Sequence, residues 1–551
     1  MKNTTSRVCR IFTLSLLLAL VAGCGPQPPA TPPASPDSAA VSASVDLRSI
    51  GAAITGRSAL ALRDALASGE LRAAEVTAAY LNRIESLDDA GPQLHAIIEI
   101  NPDARALAEA LDGRFAQNGP VGPLHGVPVV LKANIDTADA MATSAGSIAL
   151  ADHHANRDAF LVSRLREAGA IILAKTNLSE WANFRDDNAS SGWSSLGGQT
   201  RNPFVLDRNP CGSSSGSAVA IAADLAPLAV GTETDGSIVC PAGINGIVGI
   251  KPTLGLVSRG GIIPIAISQD TAGPMAADVM SAALLLETLA AADPGDPAAH
   301  SLPTPGFLPD TGKLRLDGLR IGVLREYFGV GTFPQLENVY QSAVDQLVEL
   351  GAEIVDPVTL TRSDDARDAE FEVLLHEFKA GIADYLQQQG RPAGLGNLAD
   401  LILYNDTHRD RVMPIFGQSV FLEAEARGDL TSDTYITALQ ASQQALRDAV
   451  NGLFQDLQID ALFHPVNGPA WKIDWVAGDR YSFGGTAYVA AVTGYPSVAI
   501  PAGLVAGLPI AVAFTGLADT DQQIIQMAWV LEQALGKRPQ PRFIPTLETQ
   551  R

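Results

Sequence analysis

The chain has 551 residues, 46% of them hydrophobic and 18% charged, with a formal net charge of −22. That composition is globular, and the length permits one large domain or several. The acidic balance makes the chain a poor candidate for gripping nucleic acid or an anionic surface through a basic face.

Residues 1–23 read as a signal segment. Lys2, Arg7 and Arg10 come without an acid and precede IFTLSLLLALVAG, an apolar run too short for a stable membrane helix. Val21-Ala22-Gly23-Cys24 resembles a bacterial lipoprotein signal, which implies lipidation of Cys24 as the mature N-terminus. The alternative is an ordinary secretory signal cleaved nearby. Gly25, in place of an acid, favours an outer-membrane anchor facing the periplasm over inner-membrane retention. Residues 24–44 form a Pro/Ala/Ser-rich tether with too little apolar surface to fold, and 45–551 are expected to be the folded domain. Of the four cysteines, Cys211 and Cys240 remain in an exported, disulfide-permissive context. They can pair only if the fold brings their Cα atoms close enough. No Cys/His cluster has zinc spacing, and His153-His154 reads as a solvent-facing pair in a polar loop.

Along the domain, Val76, Tyr80 and Ile84 repeat with helical spacing. Val127 to Leu131 is an apolar run that ends on Lys132. A helical segment, RDAFLVSRLREAG, leads into the buried-strand candidate AIILA, with glycine at the break. After Ser213 the small, apolar SAVAIAADLA predicts a tightly packed helix. Pro and Gly punctuate expected strands through 231–274. From about residue 303 to 458 the pattern is mostly helical, with NVYQSAVDQLVELGAEIV a helix–turn–strand. VAAVTGYPSVAIPAGLVAGLPIAVAFTG closes the chain as strands between turns. Alternating helices and buried strands predict an α/β fold, one large mixed sheet covered by helices on both faces.

The stretch NPCGSSSGSAVA holds Ser213, Ser214, Ser215 and Ser217. Gly212-Ser213-Ser214-Ser215-Gly216 fits the G-x-S-x-G elbow of esterases, which would make Ser214 the nucleophile. The preceding TRNPFVLDRNPC offers no strand, although His300, His376, His408 and His464 follow as possible partners. No lysine has a serine three residues before it, so a Ser-x-x-Lys enzyme is excluded. GIVGIK lacks phosphate-loop spacing.

Taken together, GPLHGVPVVLKANID, ILAKTNLSEWA, GGQTRNPF, PCGSSSGSAVA and GTETDGSIVCPAGINGIVGIKPTLGLVS resemble the amidase signature family in order and content. The resemblance runs from about residue 76 to 543, with a signature core at about 120–275. Within the family it is to the peptide-amidase members, which implies hydrolysis of the C-terminal amide of peptides to acid and ammonia. A general aliphatic or aryl amidase is the alternative. The resemblance implies Ser237 as nucleophile, Ser213 as a bridging serine after a cis peptide bond, and Lys132 as base. Backbone N–H groups of Thr234, Asp235, Gly236 and Ser237 would form the oxyanion hole.

The chemistry asks for such a set. A serine attacking an amide needs its proton removed. A lysine can take it only when neutral, and burial disfavours its charged form. A hydroxyl between the two both donates and accepts. Many relatives carry an acid after the lysine; here Ala133 follows. Lys175 and Lys251 read as structural pairs or caps, and Asn177, Glu180, Gln199 and Arg201 as scaffold. Trp181, Trp193 and Trp471 either line a peptide cleft or belong to the core. The glutaminase components of tRNA-dependent amidotransferases usually follow the nucleophile with Ile-Arg-Gln, whereas Ile238-Val239-Cys240 stands here. A reading from another class is a peptide-binding lipoprotein on an inactive amidase fold. The expected partner is a small-molecule or peptide amide substrate, with no nucleic acid and no obligate protein partner. The membrane is met only through the lipid anchor, and neither metal nor organic cofactor is implied.

Overall fold

The computed structural model describes residue 51 and residues 54–302, 306–325, 333–360, 364–466, 468–480 and 485–547. The expected signal at 1–23, the tether at 24–44 and Cys24 lie outside the described residues. In chain order the strands are β1 (Ile97–Ile100), β2 (Pro128–Lys132), β3 (Ile171–Thr176), β4 (Trp193–Ser194), β5 (Gly198–Gln199), β6 (Leu228–Glu233), β7 (Val248–Lys251), β8 (Thr271–Ala276), β9 (Arg320–Val323), β10 (Glu353–Val355), β11 (Ala461–Pro465), β12 (Ser497–Val505) and β13 (Leu508–Thr515). Eleven of them join one mixed sheet in the order β1-β3-β2-β6-β8-β7-β12-β13-β11-β9-β10, and β4 and β5 pair separately. The α/β expectation holds.

β2, β3 and β6 are apolar almost end to end and buried at every position. Strands covered on both faces need no alternation, and these three pair in parallel between the edge strand β1 and β8. The helix Ser215–Ala222 packs on them, and all eight of its residues are buried. Its small side chains permit that approach; a Cβ on Gly216 would collide with the carbonyls of Ala96 and Asn177. A second apolar cluster gathers Phe378, Ile382 and Leu398 from the helical stretch around Trp181 and Phe184.

Two segments depart from the sequence reading. Val239–Ile244, expected among strands, is a short helix, and Ala487–Thr493, at the head of the expected C-terminal strands, is another. Both are too short for a 3.6-residue period to show. Among the described residues no helix is long and apolar enough to cross a membrane.

Candidate active site

Lys132 ends β2. The parallel register sets Val129 beside Leu228 and Leu131 beside Val230, so the lysine emerges level with the end of β6. Its side chain is fully buried. Nζ lies 2.7 Å from Ser213 Oγ, 2.8 Å from Thr232 Oγ1 and 3.1 Å from the Thr232 carbonyl. Burial pushes its pKa down to about 7, against the opposing pull of the Asp270 and Glu233 carboxylates. Asn134 Nδ2 donates to the same Thr232 hydroxyl at 3.1 Å, which orients it. Ala133, where relatives carry an acid, is buried and uses its N–H on the Thr176 carbonyl.

Ser213 follows a cis peptide bond from Gly212, as the family resemblance implied. A Cβ on Gly212 would run into Ser179 Oγ, so glycine here lets that hydroxyl keep its bond from the Gly192 N–H. The other serines of the stretch are consumed by the backbone. Ser214 Oγ donates to the Thr232 carbonyl at 3.0 Å and accepts its N–H at 3.2 Å. Ser215 Oγ donates to the Cys211 carbonyl, and Ser217 Oγ to that of Val230. Ser214 is fully buried. The later histidines bond elsewhere: His300 to Asp519, His376 to Glu372, His408 to the Tyr404 carbonyl and His464 to Thr515. The elbow reading has no support in this arrangement.

Ser237 lies in the turn from β6 to the Val239–Ile244 helix. The Ser214 N–H donates to the Ser237 carbonyl at 3.1 Å, which brings the turn against the Ser213 loop. Glu233 Oε2 accepts the N–H groups of Ile238 at 2.6 Å and Val239 at 3.0 Å, fixing the residues just past Ser237. Gly236 sits at φ +77°, a conformation that favours glycine. Thr234 Oγ1 donates to Asp270, whose other oxygen accepts from Ile265 and Ala266 N–H at 2.8 and 3.0 Å. Ser237 is 8% exposed while Ser213 and Ser214 show no surface at all, so the turn serine is the one that solvent reaches. A cavity of about 250 Å³ opens against Thr232 and Thr234, walled on its far side by Tyr385, Gln388 and Gln389 of the helical stretch.

Cys211 and Cys240 form a disulfide with their Cα atoms 6.1 Å apart. Lys175 Nζ donates to the Ile135 carbonyl, and Lys251 Nζ to the carbonyls of Tyr495 and Pro252. Both lysines are structural. Asn177 and Gln199 tie neighbouring loops, and buried Glu180 pairs with buried Arg185 at 2.9 Å. The Arg201 N–H donates to the Leu94 carbonyl.

One expectation needs correction, and one open alternative is narrowed. His153 is buried and shares a 3.1 Å hydrogen bond with Tyr385; only His154 faces solvent. Trp181, Trp193 and Trp471 are buried, so they belong to the core. Sequence reasoning missed Thr232, Asn134 and Asp270. The first was within reach: once the Lys132 and GTETDGS strands are set side by side, Thr232 falls next to the lysine. Among the described residues no group of three or more His, Cys, Asp or Glu side chains is placed to hold a metal ion.

The family model described as Amidase matches residues 75–525. A peptide amidase solved with the competitive inhibitor chymostatin superposes with a TM-score of 0.84 at 44% identity, covering 89% of this chain and 100% of its own. The native peptide amidase of Stenotrophomonas maltophilia gives 0.82 at 45% identity, over 89% and 99%. A glutamyl-tRNA(Gln) amidotransferase component of Symbiobacterium thermophilum is 37% identical over 485 residues, 86% of this chain and 96% of that protein.

Proposed function

The chain belongs to the amidase signature family and is an amide hydrolase, and from that premise we propose that it hydrolyses the C-terminal carboxamide of peptides through Ser237, Ser213 and Lys132. The observation that carries the reading is the 2.7 Å contact between Lys132 Nζ and Ser213 Oγ in a fully buried setting. A neutral amine has two N–H groups and one lone pair. Thr232 offers two acceptors, its carbonyl and its hydroxyl, which take both N–H groups. The lone pair then faces Ser213 Oγ and accepts its proton. A pKa near 7 keeps a large share of the lysine neutral at physiological pH.

Ser213 in turn takes the proton of Ser237 as that oxygen attacks the amide carbon. Charge on the tetrahedral oxygen is met by backbone N–H groups of the Thr234–Ser237 turn. Loss of one such donor typically costs about 10²–10³ in rate. The proton returns through Ser213 to the leaving nitrogen, ammonia departs, and an ester remains on Ser237. Water then attacks that ester with the same bridge removing its proton, which releases the peptide acid and restores the Ser237 hydroxyl. The identity to solved peptide amidases supports the peptide substrate. The Ile238-Val239-Cys240 sequence after the nucleophile speaks against a glutaminase component of an amidotransferase. We further propose that Cys24 carries a lipid anchoring the domain at the outer membrane, through a tether at 24–44. Incorporation of labelled palmitate, lost in Cys24→Ala, tests this.

The deciding experiment measures ammonia release from a blocked dipeptide amide, a simple aliphatic amide and glutamine, with the full chain and its Ser237→Ala variant. Preference for the peptide amide, with loss of about 10⁴-fold or more in the folded variant, is the expected result. Turnover of simple amides alone, or of glutamine alone, overturns the substrate. Full activity in Ser237→Ala overturns the catalytic assignment.

A further inference from the structure

Cys211 and Cys240 stand on the two loops that bear Ser213 and Ser237. Cys211 lies two residues before Ser213, and Cys240 three after Ser237. Each cysteine is fixed to its own loop. The Cys211 N–H donates to Asn209 Oδ1 at 2.8 Å, and its carbonyl accepts from Ser215 Oγ at 2.6 Å. The Cys240 N–H donates to the Gly236 carbonyl at 2.9 Å, inside the nucleophile turn. A displacement of either sulfur is therefore passed within a few bonds to the serine beside it.

Hydrogen bonds also join the two loops: Ser214 to Ser237, and Asn245 Nδ2 to the carbonyls of Pro210 and Pro241, the latter two each at 2.8 Å. Such bonds contribute only about 0.5–1.5 kcal/mol each to stability and yield to small shifts. The disulfide sits in a small apolar cluster with Phe204, Ile244 and Trp471, separate from the main core against the sheet. Neither cysteine lies on a strand of the sheet, so the strand that ends at Lys132 is held without them.

We propose that the Cys211–Cys240 disulfide is a positioning element for the reaction, and that it gates activity by redox state. Oxidised, it holds the bridging serine in register with the nucleophile; reduced, the register loosens and turnover falls. The proposal rests on the assignment of Ser213 and Ser237 given above. The covalent step balances: a dithiol breaks the Sγ–Sγ bond, gives two electrons and two protons to the cysteines, and leaves as a cyclic disulfide. Cys240 is only partly buried, which gives the reductant access. The arrangement would tie full activity to an oxidising compartment.

The test compares the full chain, oxidised and treated with dithiothreitol, with the Cys211→Ala/Cys240→Ala double variant. Peptide-amide turnover is followed below the melting temperature of each form. Misplacement of a reacting group by about 1 Å can cost 10²-fold, so kcat is expected to fall about tenfold on reduction and in the double variant, with KM changed less than about twofold. Reoxidation of the reduced wild type should restore kcat, and dithiothreitol should leave the double variant unchanged. If kcat of the folded, fully reduced protein and of the double variant stays within about twofold of wild type, the disulfide only stabilises the fold and the proposal fails. A failure of the underlying assignment looks different: Ser237→Ala would then stay active in both redox states.

Discussion

Lys132 and Lys251 occupy two buried pockets that differ in what faces the ammonium. Both side chains are fully buried, and burial lowers both, to about 7 and about 8. Lys251 Nζ meets main-chain carbonyls, which can only accept. Lys132 Nζ meets two acceptors on Thr232 and a third group, the Ser213 hydroxyl, that can also donate. A depressed pKa therefore marks neither lysine as functional by itself. The lysine with a proton donor in front of it can become a base; the one surrounded by carbonyls is a strut.

The largest effect expected from this contrast is on turnover. Lys132→Met removes the base and should lower kcat by about 10²–10⁴ while the protein stays folded, read by steady-state ammonia release and circular dichroism. Wild-type kcat/KM should fall about tenfold per pH unit below pH 7, because Lys132 is protonated there and cannot accept from Ser213. A flat profile from pH 5 to 8 would exclude Lys132 as the titrating base.

Lys251→Met should reverse the pattern. Lys251 Nζ donates to the carbonyls of Tyr495 and Pro252, and removing it leaves both without that donor. An unsatisfied buried acceptor costs about 1–3 kcal/mol. At about 2.1 cal/mol/K per residue, that lowers Tm by only about 1–3 °C in a chain of this size. Turnover should change less than tenfold, the residual effect passing through Glu233 to Ile238 and Val239. If Lys251→Met loses activity as deeply as Lys132→Met at unchanged Tm, the contrast collapses.

The same contrast shows what was legible in the sequence. The apolar run ending at Lys132 was plain because a strand buried on both faces has no polar interruptions. The signature motifs named Ser213 and Ser237, although the local pattern alone pointed at Ser214. What separates those serines is tertiary: Ser214 Oγ is taken up by Thr232 main-chain atoms on a strand 18 residues away. The Val239–Ile244 helix was unreadable because Pro241 and Gly243 carry the composition of a turn. His153 and the three tryptophans were misplaced or undecided because their cover comes from far along the chain. His153 meets Tyr385 of the long Asp364–Gln388 helix, and Trp181 packs in the cluster that helix helps to build. Contacts over two hundred residues apart leave no local trace.

The smallest effect concerns stability against pH. In the unfolded chain Lys251 holds its proton to about pH 10.4, whereas in the fold it releases it near 8. Between those values the unfolded state binds more protons, so this group makes stability rise with pH. The buried carboxylates act the other way, but Asp88, Asp136 and Asp270 have titrated by about 7, 6 and 6, and Glu532 by about 8. Buried Tyr80 and Tyr340 are held protonated, which favours unfolding only above their ordinary pKa near 10. The difference between wild type and Lys251→Met isolates this lysine in the window from pH 8 to 10. The stability gap between wild type and Lys251→Met should widen there by about 1 kcal/mol per pH unit, read from denaturant midpoints. A gap that stays constant from pH 8 to 10 would mean that Lys251 keeps its proton in the fold, and that burial alone does not neutralise a lysine ringed by carbonyls.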